Sequence, residues 1–239
     1  MKNVQSLAMI SSCVILLGAC STNWFEDEFE ELAFVDHIAA GMIEQDVFVE
    51  KVPGSGSVFR VDEAEAARFA DALVYRSKIP VRHAPYTPSK NGPYPKGASL
   101  GISLADWRKG SGRALVTCSS EKGRIQAVFH NLVPNGTYTM WYYRVAVAHM
   151  GCADCPFGTI DLPVGAKDGS QSSFAANARG SALFDVSFEP CLKPGDDQLA
   201  AALAITYHSD GNTYGPSPGE RGHKSHVQLF TLLLGPGGK

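Results

Sequence analysis

Short runs of alternating apolar and polar residues recur through the second half of the chain, and they constrain its fold more than any other feature. In RIQAVFHNL, the apolar residues Ile125, Ala127 and Phe129 alternate with mostly polar neighbours, and ALFDVSFEP alternates in the same way. Successive side chains of a strand point to opposite faces, so this period of two predicts strands with one buried face. Turn sequences such as VPNG, KDGS and KPGDD separate the runs. We therefore predict a mainly β fold, an antiparallel β-sandwich of immunoglobulin-like or cupredoxin-like architecture, over residues 98–239.

Residues 20–97 differ in character and predict an N-terminal helical and extended arm that acts as a tether. The acidic stretch NWFEDEFEELAFVD has apolar residues at loosely helical spacing, namely Phe25, Phe29, Leu32 and Phe34. This spacing indicates one or two short amphipathic helices or, for the first ten residues, a disordered linker. Asp62 is a candidate N-cap for an alanine-rich helix that Pro80 ends. The following HAPYTPSKNGPYPKG predicts an extended, proline-rich connector.

The N-terminus, MKNVQSLAMISSCVILLGACSTN, has the proportions of a signal peptide, because its apolar run is too short to span a bilayer. The sequence LGAC that ends at Cys20 resembles the lipobox of bacterial lipoproteins. This resemblance implies that residues 1–19 are a removed signal peptide and that Cys20 carries the lipid, palmitate included. The alternative is an ordinary secretory signal cleaved nearby. Ser21, rather than Asp, follows Cys20, which favours the outer membrane or cell surface over inner-membrane retention.

Charge and cysteine content narrow the class of protein further. The formal net charge is −3 and no basic stripe occurs, so we do not expect a nucleic-acid partner. Apart from Cys13 in the signal and the lipidated Cys20, four cysteines remain for the mature chain. Four cysteines in an oxidising compartment suggest disulfides, and three pairings are open to them.

The stretch AHMGCADCPFG is the densest group of reactive side chains, and three interpretations compete for it. His149, Met150, Cys152 and Cys155 form a donor set that copper or zinc would accept. A redox role for CADC would need a helix after the first cysteine to lower its pKa, and no helix-forming segment follows. A disulfide-closed loop is the interpretation that we favour.

A second candidate metal set is His208, His223 and His226 in YHSDGNTYGPSPGERGHKSH, although a long turn shaped by glycine and proline explains the same stretch. A catalytic triad of Ser209 with its neighbours His208 and Asp210 is excluded, since adjacent residues on a strand point to opposite faces. We therefore lean against an enzyme.

Trp141 and Tyr143 lie two residues apart in TYTMWYYRV and would share one face of a strand. Such a pair can offer a flat platform to a ligand. The alternative is ordinary core packing under a covering segment.

The segments TCSSEKGRIQAVFHNLVPNGTYTMW, YHSDG and SHVQLF together resemble an uncharacterised family of secreted bacterial β-sandwich proteins. The resemblance covers about residues 97–234. It implies a β-sandwich in a secreted setting, with one disulfide between Cys118 and Cys191 and another between Cys152 and Cys155. It implies no activity.

Taken together, these features predict an envelope-anchored lipoprotein that serves as a binding or structural module. Its partners would be the membrane, through the lipid on Cys20, and an envelope protein or a small-molecule ligand. A copper- or zinc-binding envelope protein is the alternative, and an enzyme of unknown type is the second alternative.

Overall fold

The computed structural model describes residues 28–40, 47–81, 91–119, 121–146, 159–193 and 199–233. Antiparallel strands dominate these residues, and two short helices accompany them. The strands are β1 (Glu28–Asp36), β2 (Phe48–Val49), β3 (Ser57–Val58), β4 (Leu73–Ser77), β5 (Tyr94–Ser103), β6 (Ser111–Ser119), β7 (Lys122–His130), β8 (Thr137–Ala146), β9 (Thr159–Pro163), β10 (Ser173–Ala175), β11 (Ala182–Phe188), β12 (Leu199–His208) and β13 (Ser225–Leu233), and the helices are α1 (Glu63–Ala66) and α2 (Leu104–Arg108).

A nine-stranded sheet forms the body of the molecule. Its strand order is β10-β8-β12-β13-β1-β6-β7-β11, and β9 pairs with β8 beside β10. The sheet curls so that its two ends approach each other, since the rings of Phe174 on β10 and Phe184 on β11 have centroids 5.4 Å apart. We call the concave side the inner face and the convex side the outer face.

The core fills the inner face, as the period-two pattern predicts. On β7, Ile125, Ala127 and Phe129 are buried while the residues between them are exposed. The ring of Phe129 packs edge-on against Phe34 of β1 and stacks on Phe174 of β10, so one aromatic group joins three strands. Burial of such rings is a main source of stability in a β protein.

A four-stranded sheet of order β2-β4-β5-β3 contributes to the same core. Its Val49 and Val74 are fully buried. Helix α2, which follows β5 directly, places the buried Trp107 against Tyr207 of β12, with ring centroids 6.1 Å apart. The Nε2 of Gln228 on β13 donates to the carbonyl of Trp107, which fastens α2 to the large sheet.

Three local predictions for the N-terminal part are wrong. Residues 28–36, predicted as part of a helical tether, form strand β1, which pairs with β6 and β13. Asp62 does cap a helix, since its Oδ1 accepts from the amide of Glu65 at 2.8 Å, but α1 ends after one turn and β4 follows. Residues 83–90 of the predicted connector lie outside the described residues, and its end, from Tyr94, is the beginning of β5. In each case strand pairing outweighs a weak local helix or coil preference.

The mainly β, antiparallel, sandwich-like fold that the alternating pattern predicts is confirmed. The division of the chain at residue 97 stays a prediction, and β5 contains residues on both sides of that position. Within the described ranges, the helices are too short to cross a bilayer.

Candidate functional site

The predicted site residues divide into two groups according to where they fall. Cys20, the proposed lipid attachment site, lies outside the described residues, as does the set of His149, Met150, Cys152 and Cys155. The remaining predicted residues lie on the large sheet, in the segment after β11, or on the loop that joins β12 to β13, residues 209–224.

Cys118 and Cys191 form a disulfide, as the family resemblance implies. Their Cα atoms are 5.8 Å apart and the two residues are separated by 73 positions. The bond joins the end of β6 to the segment after β11, so it closes one end of the sheet. The ring of Phe188 lies over Gly123 at this end, in space that a larger residue at 123 would occupy. We call this region the disulfide end.

The structure does not bring His208, His223 and His226 together as one ligand set. His208 lies opposite Ser225 in the β12–β13 pairing and His226 lies opposite Tyr207. Adjacent positions alternate between faces, so His208 is on the outer face and His226 is on the inner face. In the part of the chain that the structure describes, no three His, Cys, Asp or Glu side chains form a group that could hold a metal ion.

His208 belongs to a buried polar row on the outer face. The Nε1 of Trp141 donates to Thr139 Oγ1 at 2.6 Å, and Thr139 Oγ1 lies 2.7 Å from His208 Nε2. Because the indole can only donate, Thr139 Oγ1 accepts from it, and the same hydroxyl either donates to His208 Nε2 or accepts from its N–H, according to the tautomer of the ring. Burial lowers the pKa of His208 to about 4, which agrees with a neutral ring.

His226 and His223 make contacts of a different kind. His226 Nε2 lies 2.9 Å from Ser209 Oγ, and Ser209 Oγ is also 3.4 Å from the carbonyls of His223 and Lys224. His223 Nδ1 donates to the carbonyl of Ser77 at 2.9 Å. The Ser209–His226 contact has the distance of a nucleophile and its base, but the two carbonyls show that Ser209 also closes the loop. The bond from His223 attaches the 209–224 loop to the end of β4.

Trp141 and Tyr143 do share one face, yet the structure buries both of them. They pack with Ala204 and Val227 in a cluster on the outer face. The guanidinium of Arg221 lies 5.4 Å from the ring centre of Tyr143, donates to its hydroxyl at 3.0 Å, and pairs with Asp161 at 2.8 Å. The pair therefore packs beneath the loop and offers no open platform in this arrangement.

Other parts of the outer face remain open and expose apolar side chains. Leu183 is 78 % exposed, and it lies opposite Val128 of β7, which is 36 % exposed. Val35 of β1 and Leu232 of β13 are 44 % and 45 % exposed. We call this surface, across β13, β1, β6, β7 and β11, the apolar patch. A groove of about 600 Å³ lies in the part of the patch on β1, β6, β7 and β11.

Charged and polar side chains surround the apolar patch. Arg124 makes two hydrogen bonds to the carboxylate of Asp185, at 2.7 and 2.6 Å, and Gln126 adds a third at 3.2 Å. The hydrogen bonds from Arg124 and Gln126 lower the pKa of Asp185, although burial opposes them. Glu31 and Arg113 line the same groove, and Arg113 lies between Val128 of β7 and Ala33 of β1. Protein interfaces commonly combine apolar and charged side chains, and arginine is enriched in them.

A second groove of about 600 Å³ lies at the disulfide end. Lys122 at the start of β7 and Lys167 in the loop before β10 face it, together with Gln171, Ser187 and Glu189. Both lysines are exposed, and no carboxylate of the described chain pairs with either ammonium group. The lining of the groove therefore combines two exposed ammonium groups with the carboxylate of Glu189.

Neither the apolar patch nor the groove at the disulfide end is predicted from the sequence, for different reasons. An apolar residue on the polar side of an alternating strand, such as Leu183 or Val128, is a signal for the patch, although one such residue alone is common on protein surfaces. Lys122 and Lys167 are 45 positions apart, and only the curl of the sheet places them together.

Comparisons with known proteins name no family for this chain. A scan against protein-family models found no match, and a search among curated proteins found no similar sequence.

Proposed function

We propose that the protein is an envelope-anchored lipoprotein that acts as a binding module, with its membrane anchor on Cys20 and its binding surface at the apolar patch. The anchor rests on the LGAC sequence and the short apolar run before it. The lipid supplies membrane attachment at about 0.8 kcal/mol per buried methylene, without a spanning helix.

The observation that carries the binding role is the exposure of the apolar patch. Four large apolar side chains, Val35, Val128, Leu183 and Leu232, are exposed on the outer face, and Leu183 lies directly opposite Val128. Contiguous exposed apolar surface on a soluble domain commonly marks an interaction site. Elsewhere on the outer face, by contrast, Trp141 and its apolar neighbours are buried beneath the β12–β13 loop.

The shape of the patch favours a protein partner over a small molecule. A drug-sized ligand is usually enclosed on most sides by its pocket, whereas the patch is a shallow groove on an open sheet. A protein surface can cover such a face and place its own polar groups against Glu31, Arg113 and Gln126. A second envelope protein is therefore the occupant that we propose.

The anchor is tested by the mass of the mature protein purified from its membrane. We expect a chain that begins at Cys20 and carries fatty acyl groups, together with incorporation of labelled palmitate. C20A should abolish labelling and membrane recovery. A mature chain that begins elsewhere and carries no lipid would show an ordinary secretory signal and refute the anchor.

The patch is tested by a photoreactive amino acid at position 183 in living cells. Irradiation should give one adduct of defined mass, which mass spectrometry then identifies. The matched control is position 52, because Val52 is 63 % exposed but lies in a loop away from the patch. The same adducts from both positions, or none from position 183, would contradict the proposal. An adduct of twice the chain mass would identify a second copy as the partner.

The copper or zinc alternative rests on His149, Met150, Cys152 and Cys155 alone, since the described histidines are separated. Its test is metal content after mild purification, with a rise in melting temperature when that metal is added. Such a result would make the metal function the better proposal.

A further inference from the structure

We propose that the tip of the loop that joins β12 to β13 is a lid over a binding site for one uncharged sugar residue. The site lies on the outer face of β12 and β13 and consists of Thr206, His208 and Ser225, which we call the polar trio. This inference depends on neither the lipid anchor nor the apolar patch, so it is tested separately from the proposed function.

The polar trio occupies neighbouring positions on one face of the sheet. Thr206 and His208 are two residues apart on β12, so their side chains point to the same side and their Cα atoms are about 7 Å apart. Ser225 of β13 lies directly opposite His208 in the strand pairing. Opposite residues have Cβ atoms about 5 Å apart. The three side chains therefore surround an area that matches one sugar ring.

Each member of the polar trio has a buried polar atom that makes no hydrogen bond within the described part of the protein. These atoms are Thr206 Oγ1, His208 Nδ1 and Ser225 Oγ, and the three residues are at most 1 % exposed. Buried polar side-chain atoms in proteins nearly always have a partner, because an unmade hydrogen bond is costly. Three such atoms side by side therefore point to a bound molecule as their partner.

The chemistry of these atoms selects an uncharged ligand that bears hydroxyl groups. Hydroxyl and imidazole groups can accept or donate hydrogen bonds, as the hydroxyls of a sugar do. The nearby ionic groups of the loop are already paired, with Lys224 2.7 Å from Glu220 and Arg221 2.8 Å from Asp161. A charged ligand would have to displace one of these pairs, whereas an uncharged sugar would not.

Two aromatic rings border the polar trio. The ring of Tyr214 lies over His208, with ring centroids 5.7 Å apart, and its hydroxyl donates to Asp210 within the loop. Trp141 of β8 lies diagonally across the strand pairing from Thr206. Aromatic rings pack against the C–H face of a sugar, while a few polar groups fix its orientation.

The tip of the loop, residues 210–219, can move without breaking a hydrogen bond to another element. Within the described residues, its hydrogen bonds stay inside the tip or reach the carbonyl of His208 at its base. The tip meets the loop before β10 by packing of Gly215 on Gly169. Opening therefore costs packing contacts, and it uncovers the polar trio because Tyr214 leaves with the tip.

The stability of two variants tests whether the hydroxyl of Thr206 has a partner in the unliganded protein. T206V removes a hydroxyl that makes no hydrogen bond and should leave the melting temperature unchanged or raise it. T139V removes the hydroxyl that contacts both Trp141 and His208 and should lower the melting temperature by about 4 °C or more. Equal losses would mean that ordered water already satisfies Thr206, and would overturn the proposal.

Binding is tested on the purified protein with the methyl glycosides of glucose, galactose, mannose and N-acetylglucosamine. At least one of them should shift the backbone amide NMR signals of the polar trio. T206V should weaken this binding about tenfold, the effect of one lost hydrogen bond. T231V is the matched control and should bind normally, because Thr231 lies opposite Leu203 on the inner face. No shift with any of the four, or equal loss in both variants, would overturn the proposal.

The lid is tested by the rate at which diethyl pyrocarbonate, a reagent for imidazole, modifies His208. Y214A removes the ring over His208 and should raise this rate severalfold, and the bound methyl glycoside should lower it again. His37 is equally buried and follows β1, away from the tip, so it serves as the internal control. If both histidines react at equal rates in every sample, they react through global unfolding and the lid is refuted.

A free sugar and the end of an envelope glycan share this chemistry, and one further comparison distinguishes them. A soluble oligosaccharide that ends in the sugar that binds is titrated beside the methyl glycoside. Equal affinities would assign the end of a glycan, whereas binding of the methyl glycoside alone would assign a free sugar. Either result supports the site, provided that T206V weakens the binding.

Discussion

His208 shows how a single side chain can make the fold sensitive to acid. Its folded-state pKa, lowered to about 4 by burial, lies below the value of 6.5 expected in the unfolded chain. Below pH 6.5 the unfolded chain takes up a proton that the folded chain does not, so the free energy of unfolding falls as the pH falls toward 4. The shift corresponds to about 3 kcal/mol. Burial lowers the pKa of His37 to about 3, which adds a loss in the same direction.

The variant H208Q separates the contribution of His208 to acid sensitivity from that of His37. A glutamine can still form a hydrogen bond with Thr139 but cannot be protonated, so the loss of stability between pH 6.5 and 4.5 should shrink by about half. Denaturant unfolding at several pH values measures this loss. The variant and the unaltered chain should converge as the pH is lowered, and curves that stay parallel would show that His208 does not carry the effect.

At the scale of elements, strand β1 departs most from the sequence-based expectation, which was a helical tether, and its packing leads to a testable prediction. Phe34 is buried and packs edge-on against Phe129, with ring centroids 5.3 Å apart. F34A should lower the free energy of unfolding by about 3–5 kcal/mol, because it removes a buried ring from the core. V35A alters the neighbouring side chain, which is half-exposed on the outer face, and should change stability by less than about 1 kcal/mol. Equal effects of the two variants would mean that β1 behaves as a tether.

The contrast between β1 and β7 explains which elements can be predicted from sequence. On β7, Ile125, Ala127 and Phe129 alternate with exposed residues, and the pattern alone gives both the strand and its buried face. In β1, Leu32 and Phe34 also alternate, but the acidic residues before them resemble a helical tether. Strand β1 is stabilised by pairing with β6 and β13, which lie about 80 and 200 positions away. The local sequence alone therefore cannot predict this pairing.

The same reasoning applies to the sites. The family resemblance gives the Cys118–Cys191 pairing, and the period-two pattern places His208 and Ser209 on opposite faces. The separation of His208 from His226 depends on strand register, and the burial of Trp141 depends on a loop that closes over it. The groove depends on the curl of the whole sheet, so Lys122 and Lys167 become neighbours only in three dimensions.

For the molecule as a whole, the disulfide end and the apolar patch suggest one arrangement at the membrane. The chain that leads from the proposed anchor enters the sheet at Glu28, opposite Cys118, so the strand end nearest the proposed lipid is closed by the bond between Cys118 and Cys191. The patch lies along the strands that leave this end. A rigid base of this kind would keep a binding surface at a fixed height, which favours encounters with partners in the same membrane.

The oxidation state of the mature chain is the last prediction, and it separates a binding module from a metal protein. A count of free thiols and of bound copper and zinc in one sample, from protein exported to a periplasm, makes the comparison. We expect neither free thiols nor stoichiometric metal, because Cys152 and Cys155 should pair in an oxidising compartment as Cys118 and Cys191 do. C152S/C155S should then leave the metal content unchanged and alter stability less than C118S/C191S, since a bond across 73 positions restricts the unfolded chain far more. Two free thiols with one bound copper or zinc would refute the disulfide-closed loop, and H149A would be the next variant to measure.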